Sequence, residues 1–214
     1  MNLKVCGNTT VEQLQQLAAL KIEYAGLIFY EGSKRYAYEK LHKNQAQIKA
    51  LPIKKVGVFV NAGMGFLKSC IAGFGLDAVQ LHGNESPDYC MELLKETLVI
   101  KVFRISEATT DIDALVAPFQ SVCQYYLFDT DTAGYGGSGK HFNWALLKSA
   151  IINKPFFLSG GIGPDDAMSV KTFEHPFFYA VDINSRFEKS PGIKDMDAVK
   201  RFANQFKQPE LWIK

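Results

Sequence analysis

Residues able to do chemistry recur at the ends of short apolar runs in this chain. Cys6 closes LKVC and is followed at once by Gly7; Asp129 closes YYLFD; the pair Gly160-Gly161 follows PFFLS. An ionised thiol is a general base, with an ordinary pKa of about 8.5 that a cationic neighbour lowers. A carboxyl becomes a general acid when burial keeps its proton on. On opposite sides of one substrate, the two suit proton transfer at a sugar carbon and a ring oxygen. Paired glycines after a strand let backbone N–H groups approach an anion closely, and the short helix begun by GPDD adds its positive end. Base, acid and phosphate cradle are the reading.

Each residue also has a plainer one. A cysteine near a strand end is usually a small buried apolar group, and Cys70, Cys90 and Cys123 fit that description. Cys6 differs because Gly7 leaves space beside it. Asp129 alone reads equally well as a turn residue. Arg35, in EGSKRY, pairs with a carboxylate or faces solvent. His82, in QLHG, shapes the site or orients a neighbour. Asp182 ends FFYAVD, and Asn184 and Ser185 supply further donors for a phosphate. The segment GYGGSGKHF reads as a mobile lid. It is not a nucleotide P-loop, because Lys140 is followed by His141.

The elements that position these groups follow from alternation. LKVCG precedes a helical run with Val11, Leu14, Leu17 and Ala18 at helical spacing, capped by Thr10 with Gln13 or Thr9 with Glu12. YAGLIF, VGVFV, AVQLH, LVIKVFR, YYLFD, PFFLS and FFYAVD read as further strands, each followed by a helical stretch. Among those stretches are a run near Tyr38–Lys49 and one opened by Ser86 and Pro87. The last helix puts Met196, Val199, Phe202, Ala203 and Phe206 on one face. Apolar strands separated by helices belong to a parallel sheet, and eight such units close into a barrel. The expected fold is therefore α/β, a single (β/α)8 TIM barrel over residues 1–214. That fold keeps its active site at the carboxyl ends of the strands, where the residues above stand.

Composition bounds the function. With 214 residues, 47% hydrophobic and 21% charged, the chain suits one soluble globular domain. A net charge of +2 gives no electrostatic case for nucleic acid or an anionic membrane. The scattered cysteines suggest neither a disulfide framework nor a zinc site and suit a reducing compartment. No secretory signal or membrane span is evident, so a cytoplasmic location is expected.

The segments KVCG, GLIFYEGSKRY, KKVGVFVN, VQLHGNE, VIKVFR, KHFNW, FLSGGIGPDD, AVDINS and SPGIKD, in that order, resemble the phosphoribosylanthranilate isomerase family over nearly the whole chain. The resemblance implies an isomerase of tryptophan biosynthesis that performs an Amadori rearrangement without metal or organic cofactor. It implies that Cys6 is the general base at the ribose C2′ and Asp129 the general acid at the ring oxygen. Arg35 would bind the anthranilate carboxylate, with His82 and Asp182 lining the substrate site. Gly160, Gly161, Asn184 and Ser185 would hold the phosphate. The implied partner is a phosphorylated small molecule, and the oligomer is a monomer or homodimer.

The chain departs from the family pattern in two places. Asn8 and Thr10 stand where an apolar and a basic residue usually follow the C-G pair, and Asn184-Ser185-Arg186 replaces the common S-S-G. Losing that glycine is expected to strain the turn or to add a cation to the phosphate site. Two alternatives remain at this point: a related barrel isomerase acting on a histidine-pathway aminoaldose phosphate, and a sugar-phosphate-binding barrel without catalysis.

Overall fold

The computed structural model describes residues 1–131 and 142–207. The glycine-rich segment read as a lid, apart from Phe142, and the tail QPELWIK lie outside them. Eight strands run in chain order: β1 (Asn2–Val5), β2 (Tyr24–Ile28), β3 (Lys54–Phe59), β4 (Ala78–Leu81), β5 (Leu98–Ile105), β6 (Tyr125–Thr130), β7 (Phe156–Leu158) and β8 (Phe178–Ile183). Each is parallel to the next, and β8 pairs back onto β1 with Lys4 opposite Asp182, closing the barrel.

Helices α1 (Val11–Ala19), α2 (Tyr38–Leu41), α3 (Gln45–Lys49), α4 (Met64–Phe74), α5 (Pro87–Leu93), α6 (Ile112–Val116), α7 (Ala145–Ser149), α8 (Ala167–Lys171) and α9 (Met196–Lys207) lie in the connections and after β8. Two differ from the periodic reading. The run near Tyr38–Lys49 breaks into α2 and α3 around a 3-10 turn at His42–Asn44. The stretch after β8 folds into a small antiparallel hairpin, β9 (Glu188–Ser190) and β10 (Ile193–Lys194), turned at Gly192 with φ +86°. Lone turns of charged sequence carry no periodicity, so neither feature was legible.

Local capping follows the side chains. Thr10 accepts from the Gln13 backbone N–H at 3.2 Å, and Ser86 accepts from Tyr89 N–H with Pro87 in the first turn. Only half of the Thr10–Gln13 box forms. The Gln13 amide instead reaches 181 residues along the chain, donating to Gly192 O and accepting from Lys194 N–H.

Strand alternation sorts the core into two layers. Val56, Ala78, Ile100, Leu127, Phe157 and Ala180 fill the barrel interior, with Tyr24 among them. The opposite parity packs under the helices, where Phe59, Phe74, Phe103, Phe128 and Phe156 join the α9 face of Val199, Phe202 and Phe206. A fully buried side chain of this size contributes about 1.5–3 kcal/mol of transfer free energy, so both layers hold the strand ends in place.

Candidate active site

Interior parity decides which polar groups meet. Counting by twos from buried interior residues gives Ala78–Gln80–His82 on β4, Leu127–Asp129 on β6, Phe157–Ser159 on β7 and Ala180–Asp182–Asn184 on β8. On β1 the same count gives Lys4–Cys6. The polar residues of this set other than Lys4 line one cleft at the carboxyl ends of the strands, together with Gly160, Gly161 and Ser185. The structure thus brings together every residue expected at the site except Arg35, which sits at the rim.

Cys6 is buried at the end of β1 and its N–H donates to Ile183 O at 2.9 Å. The turn behind it is held by Asn8, whose amide donates to Val5 O and Gly26 O at 2.8 and 3.1 Å. Asn8 therefore locks the β1 loop onto β2, which explains its departure from the family pattern. Gly7 takes φ +74°, and a β-carbon there would fall 2.6 Å from Asn184 Oδ1. Gly26 leaves room for the thiol: a β-carbon would fall 2.7 Å from its Sγ.

The charge around Cys6 was not foreseen. Lys4, fully buried, pairs with Asp182 at 2.9 Å and interacts electrostatically with the Cys6 thiol. Burial pushes the Cys6 thiol above its ordinary value, and the Asp182 charge adds to that, against the opposing pull of Lys4 and Lys194. Cations of the kind that lower a thiol's pKa are present, and desolvation outweighs them. Burial alone would lower the Lys4 ammonium, but Asp182 and Cys6 more than offset it and hold it charged. A lysine inside an apolar strand, two residues before a cysteine, was the signal available.

Asp129 sits across the barrel mouth. Its Oδ1 accepts from Thr130 N–H at 2.8 Å, and its Oδ2 lies 3.5 Å from His82 Nε2. Burial, followed by the Asp182 charge, pushes its carboxyl up to about 7, against the Thr130 N–H and Lys4. His82 is driven down to about 3 by burial and then by Lys4, Arg104 and Lys101, so its ring is neutral. Gln80 Nε2 stands 3.3 Å from His82 Nδ1. With the amide donating there, the ring proton sits on Nε2, facing Asp129. The loop after β4 is braced from outside the barrel. Glu85 accepts from Asn61 N–H at 2.8 Å and pairs with Lys101 at 2.9 Å.

The glycine pair forms a left-handed turn, with φ +93° at Gly160 and +69° at Gly161. This geometry turns successive backbone N–H groups toward one side, as an anion cradle requires. The helix end expected to assist is already occupied: Gly163 N–H donates to Asp166 Oδ2 at 2.7 Å. In the β8 loop, Asn184 has φ −147°, and neither Ser185 nor Arg186 takes a positive φ, so the feared strain is absent. Arg186 Nε lies 3.0 Å from where a Gly163 β-carbon would be, placing this cation beside the glycine loop.

Arg35 neither faces solvent nor opens freely onto the cleft. Its Nε and Nη2 grip Glu188 bidentately, with Nη2 to Oε2 at 2.7 Å. Glu188 and Lys194 were missed in the sequence because they meet Arg35 and Asn184 only through the β9–β10 hairpin. Among the described residues, no cluster of three or more His, Cys, Asp or Glu side chains could hold a metal ion. Nor is any described helix long and apolar enough to cross a membrane.

Comparison with known proteins matches this arrangement. The family model for N-(5'-phosphoribosyl)anthranilate (PRA) isomerase covers residues 3–205. The N-(5'-phosphoribosyl)anthranilate isomerase of Parabacteroides distasonis is 43% identical over 99% of this chain and 96% of its own. The crystal structure of phosphoribosyl anthranilate isomerase from Thermotoga maritima superposes with a TM-score of 0.80 at 31% identity, covering 97% of this chain and 98% of that one. A further phosphoribosyl anthranilate isomerase was solved in complex with reduced 1-(o-carboxyphenylamino)-1-deoxyribulose 5-phosphate. It matches with a TM-score of 0.77 at 27% identity, covering 97% of this chain and 98% of that one. With its eight-stranded barrel and a cleft built from the ends of those strands, the chain belongs to the N-(5'-phosphoribosyl)anthranilate isomerase family.

Proposed function

We propose that this isomerase of tryptophan biosynthesis converts N-(5'-phosphoribosyl)anthranilate to 1-(o-carboxyphenylamino)-1-deoxyribulose 5-phosphate, with Asp129 as general acid and Cys6 as general base. The observation that carries the assignment is the pairing of opposed groups in one cleft. A carboxyl held up to about 7 faces the space that a buried thiol shares with the glycine turn.

The steps follow from these groups. Asp129 gives its proton to the ribose ring oxygen, the bond from C1′ to that oxygen breaks, and the nitrogen lone pair forms a protonated Schiff base. The iminium acidifies the C2′ proton, which the Cys6 thiolate removes; the C–H electrons become the C1′=C2′ bond of an enolamine. The enol then exchanges its hydroxyl proton for one at C1′, giving the aminoketose with no net gain or loss of atoms. A carboxyl near 7 is matched to this task, because it still carries a proton at neutral pH yet gives it up readily. Neutral His82, with Nε2–H toward Asp129, steadies the carboxylate that remains. Lys4 and Lys194 stabilise the thiolate against its desolvation.

The N–H groups of Gly160 and Gly161 take the phosphate, with Asn184 and Ser185 at its other side. Arg35 offers the anthranilate carboxylate the Nη1 arm, which the Glu188 pair does not use. Asp182 anchors Lys4 under the thiol. Turnover tests the assignment directly. The protein is expected to abolish the fluorescence of phosphoribosylanthranilate generated in situ. Binding without turnover would favour the sugar-phosphate-binding alternative instead.

A further inference from the structure

The hairpin after β8 carries two charged residues, Glu188 and Lys194, whose contacts reach beyond the reacting groups. The Lys194 side chain is fully buried and that of Glu188 nearly so, although both lie on a short hairpin at the protein's edge. Lys194 Nζ donates to Asn184 Oδ1 at 2.7 Å and to Glu188 Oε1 at 2.8 Å. Glu188 in turn holds the Arg35 fork and accepts from Gly192 N–H at 3.1 Å. One chain of contacts, Arg35–Glu188–Lys194–Asn184, therefore joins the two rims of the cleft. Gln13 fixes its far end by accepting from Lys194 N–H at 2.8 Å.

The chemistry of this chain settles which way Asn184 points. An ammonium only donates, so the atom facing Lys194 must be the amide oxygen. The same oxygen approaches Gly7, where no β-carbon intervenes. The NH2 is then the end left to face the cleft that Asn184 lines, beside Ser185 and opposite the glycine turn. An amide turned the other way would present a carbonyl to an anion.

We propose that Lys194 and Glu188 are positioning residues: Lys194 holds the Asn184 amide with its NH2 toward the cleft as a donor to the substrate phosphate, and Glu188 fixes both Lys194 and the Arg35 fork. The hairpin so sets the geometry of the phosphate end and the carboxylate end together. This inference deepens the proposed function and rests on it for the identity of the anion.

Calorimetry with inorganic phosphate and with anthranilate tests it without needing turnover. Asn184→Asp keeps the oxygen that Lys194 grips but replaces the donor with a second oxygen. Its Kd for phosphate is expected to rise at least about tenfold, with the anthranilate Kd and the melting temperature held. Lys194→Met should weaken phosphate binding about three- to tenfold, and Lys194→Arg should restore most of it. Glu188→Gln should weaken both ligands. Equal phosphate affinity in Asn184→Asp and the unaltered protein would overturn the proposal. So would a folded Lys194→Met variant that loses nothing, or one that weakens both ligands alike, as general loosening would. Absent turnover by the unaltered protein would instead refute the isomerase assignment, leaving phosphate binding to judge the hairpin.

Discussion

Replacing Asp129 by Asn should change the shape of the pH profile, not only its height. Burial holds the Asp129 carboxyl up at about 7 and pushes the Cys6 thiol above its ordinary range. The active form needs the acid protonated and the base ionised, the minority arrangement for this order of pKa values. Because the thiol ionises above Asp129, only a small minority of molecules carries it at any pH. Below pH 7 the rate rises with the thiolate, about tenfold per unit; above 7 each gain in thiolate is cancelled by loss of the Asp129 proton. Between pH 6 and 8, kcat/KM of the unaltered protein therefore rises about tenfold, and a plateau extends to the Cys6 pKa. An amide at position 129 has no such titration, so the residual activity of Asp129→Asn should rise about a hundredfold over the same interval. Ionisations of the substrate are common to both proteins and drop out of the comparison. Stopped-flow fluorescence at saturating and limiting substrate gives both profiles. A break near pH 7 retained in Asp129→Asn would refute the assignment of that titration, and with it the acid.

Other substitutions probe the supports. Gly26→Ala puts a methyl 2.9 Å from the Cys6 Cα, so the backbone must shift. We expect kcat to fall with phosphate affinity intact, at a stability cost of about 1–3 kcal/mol in urea unfolding; unchanged kcat would mean that the thiol tolerates displacement. Lys4→Met leaves Asp182 buried without its cation and should cost about 3–5 kcal/mol at neutral pH, with Lys4→Met/Asp182→Leu recovering most of it. The cost should shrink as pH falls and Asp182 protonates; a flat pH dependence would contradict the ion-pair reading. Gly160→Ala adds a methyl 2.7 Å from Thr130 N at φ +93° and should raise KM at least about tenfold, and its strain of about 1–3 kcal/mol should lower the melting temperature by several degrees.

The barrel was legible because strand periodicity and helix caps are local signals. So were the positions of Cys6, Asp129, Gly160, Gly161, His82, Asp182, Asn184 and Ser185, since strand-end residues of one parity must share a mouth. What lay hidden depends on pairs far apart in sequence. Arg35 and Glu188 stand 153 residues apart, and nothing in EGSKRY announces the carboxylate it grips. Lys4 carried a usable signal, a charge buried in an apolar strand, but its partner Asp182 is 178 residues away. The direction of the Cys6 shift was not legible, because neighbouring cations are visible in a sequence only as composition and desolvation is set by the closed barrel. The end of the GPDD helix was misjudged for a local reason: Asp166, three residues on, satisfies the Gly163 N–H itself.

The central claim is that the Cys6 thiolate removes the C2′ proton, and Cys6→Ser tests it most directly. Serine nearly preserves size, but its hydroxyl ionises far less readily. With the fold verified by its melting curve and phosphate binding by calorimetry, turnover of phosphoribosylanthranilate should fall by about a hundredfold to ten-thousandfold, with KM little changed. A rate within a few fold of the unaltered protein would contradict the account and remove the thiol from the chemistry.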